Sequence, residues 1–233
     1  MTAPINSNLP QHIAIIPDGN RRWAKQHGKS VQAGHQAGYD ALKRTAYAAF
    51  ARGIPYVTAY SFSTENWARS AEEIGYLMKL VGWVVKDEAK GYHADNIRIR
   101  ILGSRDRLDP GLAKGLDKVQ ELTRENTGGT ISLCFNYGGR DDLVAAIRKI
   151  ARDGVAPPDI TEQTVTAALS SVGLPDPDLV IRTSGERRLS NYLIWETAYS
   201  ELYVSDVLWP DFDEAELDRA LADYAQRKRN FGK

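Results

Sequence analysis

The residues best suited to chemistry come in short clusters, and the first is Asp18-Gly19-Asn20-Arg21-Arg22-Trp23. It follows the apolar run 12–16 and opens a helical pattern. Gly19 permits a tight turn, which leaves the N–H groups of Asn20 to Trp23 free at the start of a helix. Exposed amides at a positive helix end attract an anion. Arg21 and Arg22 add planar donors that match phosphate oxygens. Asp18 would repel such an anion unless a hard divalent cation lay between them, and carboxylate oxygens suit Mg²⁺. The same residues also describe a plain type I turn, with Asp18 as helix cap and two solvated arginines.

A second dense cluster, Arg182-Thr183-Ser184-Gly185-Glu186-Arg187-Arg188-Leu189-Ser190-Asn191, places three arginines among hydroxyls after an apolar run. Arginine-rich loops are commonly just solvated, but two anion loops at one edge of a fold would suit two phosphorylated groups. A third, Ser61-Phe62-Ser63-Thr64-Glu65-Asn66-Trp67-Ala68-Arg69, mixes polar anchors with aromatic walls, as pockets do. Ser70 followed by Glu73 reads as a helix capping box, which leaves Asn66 and Arg69 without a structural purpose. Asn136-Tyr137-Gly138-Gly139-Arg140 reads first as a glycine turn before an Asp-capped helix, and alternatively as part of a pocket wall. Glu201 sits among apolar neighbours and needs a metal or an arginine as partner. His35, in Gly34-His35-Gln36-Ala37-Gly38, precedes an Ala-rich helix, and chemistry alone gives it no role.

These clusters fall at regular places in an alternation of short apolar runs and helical patterns. Strands are expected at 12–16, 56–62, 97–102, 130–135 and 179–182. Helices are expected from residue 18 onward and at 38–52, 71–93, 110–125, 140–151, 161–171 and 213–229. Strand-then-helix repeated five times implies a parallel sheet covered by helices, with ligands beyond the carboxyl ends of the strands. Residues 17–22, 63–69, 136–140 and 183–190 are the loops at that edge.

The 233 residues suffice for one domain with its own core. Thirty basic residues balance thirty acidic ones, so no overall field favours nucleic acid or an anionic membrane, and any anion site is local. Cys134 is the single cysteine, which excludes an intrachain disulfide and a cysteine-rich metal site and fits a reducing, cytoplasmic setting. No signal-peptide pattern and no run of about 18 apolar residues occurs, so at most peripheral membrane contact is expected.

Taken together and in order, the stretches HIAIIPDGNRRWA, GHQAGYDALK, AYSFSTENWARSAEEI, NYGGR, DLVIRTSGERRLSNYLIW and AYSELYVSDVLWPDFDE resemble the cis-prenyltransferase family. The resemblance implies an α/β fold: a single domain with a mostly parallel six-stranded sheet flanked by helices, and an apolar substrate tunnel. It divides the chain into a tail, 1–11, and a catalytic domain, 12–233, and implies a homodimer. The implied reaction is a Mg²⁺-dependent condensation of isopentenyl diphosphate with an allylic diphosphate (dimethylallyl, geranyl or farnesyl) to give a cis-prenyl diphosphate. By the match, Asp18 is the essential acid that holds Mg²⁺, and Glu201 is a second metal-facing acid. Gly19, Asn20 and Arg22, with Arg21 and Trp23 beside them, correspond to the allylic diphosphate cradle. Arg182, Arg188 and Ser190 correspond to the isopentenyl diphosphate site. His35, Ser63, Asn66 and Arg69 match the polar group around the reacting ends; Phe62, Trp67 and Glu73 match positions of substrate contact and loop closure.

The chain also departs from the family pattern. Pro17 stands where Met is common, Val31 where many relatives carry Arg, Ser70 where Pro is usual, and Cys134-Phe135 where smaller residues are frequent. The C-terminal Arg-x-Gly motif appears as Asn230-Phe231-Gly232, with Arg229 displaced by one. The departures keep open a head-to-middle coupling of short allylic diphosphates. A non-catalytic partner subunit or a generic phosphate-binding protein fits less well, because the Asp-Gly-Asn loop and the arginine cluster are both retained.

Overall fold

The computed structural model describes residues 9–227. The C-terminal Asn230-Phe231-Gly232 lies outside them. Six strands form one sheet: β1 (His12–Ile16), β2 (Tyr56–Ser63), β3 (Ile97–Leu102), β4 (Gly129–Tyr137), β5 (Leu179–Arg182) and β6 (Glu201–Val204). Their order is β3-β4-β2-β1-β5-β6, and every pairing is parallel. The helices are α1 (Asn20–Gln26), α2 (Val31–Ala51), α3 (Ala71–Trp83), α4 (Ala89–Ala94), α5 (Pro110–Leu122), α6 (Gly139–Arg152), α7 (Glu162–Ala168) and α8 (Glu214–Gln226).

The strands read as near-continuous apolar runs because both faces of the sheet are covered. Alternation sorts β1 and β5. Ile13, Ile15, Leu179 and Ile181 join the large core with Ala41, Ala46, Leu77, Leu116 and Leu217 from the helices. Ala14, Ile16 and Val180 face the other way, toward Tyr192 and Leu193 in the long connection after β5. The β1 connection returns on one side of β1 and the β5 connection on the other, so the two loops meet where the strand order diverges. That is where an open α/β sheet leaves a crevice.

The structure corrects four expectations. α2 begins at Val31 rather than residue 38, because Ser30 caps it by accepting the Ala33 N–H at 3.1 Å. His35 therefore lies inside the helix. The helix expected over 71–93 is interrupted by a π turn, Val84–Glu88, before α4. The inserted turn shifts the helical phase, and Glu88 then reaches the Tyr39 hydroxyl at 3.1 Å and the Lys43 amine at 2.5 Å. β4 runs on through Asn136 and Tyr137, past residue 135. Finally, β6 escapes residue-level reading, because four half-buried residues carry no alternation; the sixth strand came only from the family resemblance.

Candidate active site

The β1 loop is fixed by what presses on it. Gly19 has φ of +115°, and a Cβ there would lie 3.0 Å from the Leu208 side chain. Asp18 does not cap α1. The Gly19 N-cap has no side-chain bond, and the Asp18 carboxylate turns instead to Arg22 Nη2 at 3.3 Å and Arg182 Nη2 at 2.9 Å. The plain-turn reading of Asp18 is thereby set aside. Thr183 Oγ1 accepts the Asp18 N–H at 2.9 Å and donates to the Asp18 carbonyl at 2.6 Å, tying the β1 and β5 loops together. Pro17 follows the last paired residue of β1, so its missing N–H costs no ladder bond.

Arg182 is 3 % exposed, a buried charge that requires partners. Beyond Asp18 it donates to the Ser190 hydroxyl at 2.8 Å and to the Arg188 carbonyl. Its Nε is buried with no hydrogen-bond partner among the described residues, and so is Asn20 Oδ1. Arg22 donates to the Ser184 hydroxyl. Arg188 is exposed and paired with Glu186.

A polar mouth of about 650 Å³ opens above these groups, lined by Asp18, Gly19, Asn20, Arg21, Arg22, Lys25, Val31, His35, Asn66 and Arg69 among others. Four basic side chains (Arg21, Arg22, Lys25, Arg69) face one carboxylate there. The chain is neutral overall, yet this crevice is locally cationic. Val31 lies on its wall where an arginine was expected, with Arg21 on the same wall.

Beneath the mouth lies an apolar cavity of about 120 Å³ between α2, the α3–α4 segment and the sheet. Leu42, Leu80, Val84, Ile131, Leu133 and Phe135 contribute to its wall. Pro17, Asn20, His35, Ser61 and Leu77 line both spaces, so charged mouth and apolar cavity share a border. Ser61 reaches that border because the β2–β4 register slips between Tyr60 and Phe62. An extra residue in a strand re-aims a side chain. Ser61 stands in the cluster that the sequence marks as pocket-like, but the bulge that aims it leaves no mark in sequence; Lys25 reads in sequence as one more surface lysine of a helix.

His35, Arg69 and Glu73 form one network across the border. Glu73 Oε1 receives His35 Nε2 at 3.1 Å and Arg69 Nη1 at 2.9 Å. Burial lowers the His35 pKa below its ordinary value, and Glu73 opposes that only in part. Neutral His35 thus donates its Nε2–H. Burial works to raise Glu73, but His35, Arg69 and Arg21 outweigh it and hold the carboxyl below the usual range.

Most other expected site residues sit behind the mouth, and Asn66, which lines it, is also part of the support. Ser63 and Asn66 close a reciprocal cap on the short turn Thr64–Ala68, with Asn66 Oδ1 accepting the Ser63 N–H at 3.1 Å. Ser70 caps α3, accepting the Glu73 N–H at 3.3 Å, which gives Ser70 a purpose where Pro was expected. Phe62 is core, packed on Trp67 and Phe135. Trp67 donates to Asn136 Oδ1 at 2.8 Å under the Arg107 guanidinium. Trp23 is buried and donates to Asp211 at 2.6 Å.

Glu201 is not brought to Asp18. It pairs in register with Leu179, at the opposite end of β5 from Arg182, and accepts from Arg227 at 2.7 Å. The partner it needed is an arginine. Among the described residues no group of three or more His, Cys, Asp or Glu is placed to hold a metal ion. Mg²⁺ does not require one, since it commonly takes one or two carboxylates and completes its shell with substrate phosphates and water. Asp18 in a cationic crevice fits that arrangement.

Residues 16–232 match the family model described as "Putative undecaprenyl diphosphate synthase". Isoprenyl transferase 2 of Bradyrhizobium diazoefficiens is 44% identical over 98% of this chain and 92% of its own length. The ditrans,polycis-undecaprenyl-diphosphate synthase ((2E,6E)-farnesyl-diphosphate specific) of Salmonella paratyphi A is 45% identical over 99% and 95%. Lavandulyl diphosphate synthase from Lavandula x intermedia, solved with dimethylallyl diphosphate, superposes with a TM-score of 0.93 at 37% identity, covering 98% of this chain and all of that one. A probable undecaprenyl diphosphate synthase from Campylobacter jejuni gives 0.81 at 27%, covering 96% and 99%. With a matching parallel sheet, sequence relatives along nearly its whole length and a cationic crevice above an apolar cavity, this chain belongs to the undecaprenyl diphosphate synthase family and is a cis-prenyltransferase.

Proposed function

We propose that the chain condenses an allylic diphosphate with isopentenyl diphosphate to form a cis-prenyl diphosphate. The observation that carries this is the shared border between a cationic mouth and an apolar cavity. A molecule with a diphosphate head and a hydrocarbon tail satisfies both at once. The head meets Arg21, Arg22, Lys25 and Arg69, and the tail is removed from water between α2 and the sheet.

Two heads need two anion sites. The β1 loop, with Gly19, Asn20, Arg21 and Arg22, takes the allylic diphosphate. Arg182, Arg188 and Ser190 take the isopentenyl diphosphate, and the partnerless Nε of buried Arg182 supports this reading. Asp18 lies between them and, with diphosphate oxygens, would hold Mg²⁺. When bound, that ion neutralises charge building up on the leaving diphosphate. Arg22 and Arg182 orient the heads and stabilise the same charge from fixed positions. Among the described residues of the mouth no side chain stands out as a strong base: Asn66 Oδ1 is held by the Ser63 N–H, and burial weakens His35, whose Nε2–H goes to Glu73. A diphosphate oxygen is the proton acceptor that remains.

A second reading, coupling of short allylic diphosphates with each other, draws on cavity size. An apolar cavity of roughly 150 Å³ takes benzene, so 120 Å³ holds about one five-carbon unit. The solved neighbour that holds dimethylallyl diphosphate points to short substrates too. The chain is proposed to act as a homodimer; the exposed Val144 and Ile147, one turn apart on α6, are a face that a second copy would cover.

Purified protein incubated with Mg²⁺, labelled isopentenyl diphosphate and dimethylallyl, geranyl or farnesyl diphosphate separates the readings. Labelled prenyl diphosphate supports chain elongation, and its length shows how far the cavity opens. Product from allylic substrates alone, with none from any isopentenyl pair, overturns the first reading in favour of the second.

A further inference from the structure

We propose that Asn191 is a positioning residue that staples the arginine loop after β5 to the loops after β2 and β4, so that Arg182 and Ser190 are held in shape for the second diphosphate. The inference rests on the two-head reading above, but Asn191 itself lines neither the mouth nor the apolar cavity.

Three bonds make the staple. The Asn191 Nδ2 donates to Glu65 Oε1 at 2.9 Å, reaching the loop after β2. Its Oδ1 accepts the Arg140 N–H at 2.9 Å, and its carbonyl accepts the Gly139 N–H at 2.7 Å, both at the start of α6 just beyond β4. The glycines of the Asn136–Arg140 segment follow from this approach. A Cβ on Gly138 would lie 2.9 Å from Asn191 Nδ2 and 2.7 Å from Thr64 Oγ1. One on Gly139 would lie 2.8 Å from Ile194 Cγ1. The glycine turn is room for the staple.

The backbone shows why a staple is needed. Ser190 and Asn191 have φ of +52° and +65°, two successive non-glycine residues in the left-handed region. Such residues persist where their surroundings over-determine them, and Asn tolerates the region better than most. Ser190 in turn accepts from Arg182, whose other amine holds Asp18. Release of Asn191 therefore loosens Ser190 and then the Arg182 guanidinium, while Asp18 keeps its bond to Arg22 on the allylic side.

Asn191→Asp tests this with little change of shape. Asp tolerates the same φ and still accepts the Arg140 N–H, but it sets a second carboxylate against Glu65, with Asp141 of α6 nearby on the Thr64 hydroxyl and adding to the repulsion. Two carboxylates at that distance share one proton at low pH and repel once both ionise. The expected result is a KM for isopentenyl diphosphate about tenfold above the parent at pH 8.5, approaching the parent near pH 6, with the allylic KM within twofold at both. Adding Glu65→Gln, which supplies a donor to the new carboxylate, restores the parent KM to within twofold at pH 8.5. Amide hydrogen exchange over residues 183–190 reads the staple without turnover: it accelerates in Asn191→Asp at pH 8.5 and returns in the double variant.

An equal rise in both KM values, or a defect that is independent of pH and not rescued by Glu65→Gln, would assign Asn191 a purely structural part. Unchanged exchange in Asn191→Asp overturns the staple outright. If the parent protein turns over no isopentenyl pair while exchange still responds as expected, the substrate reading fails and the staple stands.

Discussion

Arg182 Nη2 reaches Asp18 Oδ2 at 2.9 Å across 164 residues of sequence, and this bond joins the ends of β1 and β5. Asp18 is about one-third exposed and Arg182 is buried, so the pair stands half in the crevice and half in the fold. The carboxylate is restrained by a charge that does not leave, while its outer side faces the mouth.

Asp18→Ala is expected to lower kcat/KM by about 10²-fold or more at saturating Mg²⁺, the scale for losing one preorganised charge-stabilising group. Asp18→Asn keeps the size and loses the charge, and is expected to be similarly impaired. Steady-state rates with labelled isopentenyl diphosphate check this; near-parent turnover in Asp18→Ala would falsify the cation bridge.

Glu201 makes the opposite case. Its bond to Arg227 ties β6 to the end of α8, both side chains are about 30 % exposed, and such a pair contributes roughly 0–1 kcal/mol. Glu201→Gln should lower the melting temperature slightly and leave the Mg²⁺ concentration for half-maximal rate within twofold of the parent. A large shift in that concentration would return Glu201 to the metal site.

Gly34 and Gly38 let α2 pass close beneath Asn20. A Cβ on Gly38 would lie 2.6 Å from Asn20 Oδ1, the tip of a side chain, whereas one on Gly34 would lie 2.4 Å from the Asn20 carbonyl. Gly38→Ala should therefore displace the Asn20 side chain and raise the allylic KM with little loss of stability. Gly34→Ala must move backbone and should cost about 1–3 kcal/mol, as overpacking does. Urea denaturation beside initial rates distinguishes the two.

His12 starts β1 fully enclosed, with Nδ1 at 2.7 Å from the Pro175 carbonyl and Nε2 at 2.7 Å from Thr58 Oγ1. Burial lowers its pKa from 6.5 to about 4, against weaker opposition from Pro175 and Asp178. The unfolded chain then takes up a proton near pH 6.5 that the folded chain refuses until about pH 4. Stability is full above 6.5 and falls through that window, by about 3 kcal/mol at 1.36 kcal/mol per unit. His12→Gln should flatten the fall between pH 7 and pH 4.5 whatever it costs at pH 7. A parallel slope in parent and variant would dismiss His12 as the cause.

Val81 faces the apolar cavity from α3. Val81 does not border the mouth, so Val81→Phe takes up room remote from the heads and should hinder a long tail more than a five-carbon one. The KM for farnesyl diphosphate should rise about tenfold or more, and that for dimethylallyl diphosphate should stay within about threefold, the scale on which apolar pockets discriminate by volume. Equal effects on both primers would show that the tail does not run past Val81.

The sequence by itself determined the alternation of strands and helices, the parallel sheet, and the loops that hold Asp18 and Arg182, because burial on both faces imposes continuous apolar runs and turns demand glycine and polar caps. It could not separate the residues that face the crevice from those that brace it. Trp23, Phe62 and Trp67 are core or strut, Ser61 enters through a bulge, and Glu201 is carried by strand register to the far end of β5. Those outcomes depend on strand register and on contacts between segments far apart in sequence, which local residue patterns do not encode. Asn191 joins three such loops in space, and only the folded chain brings them together.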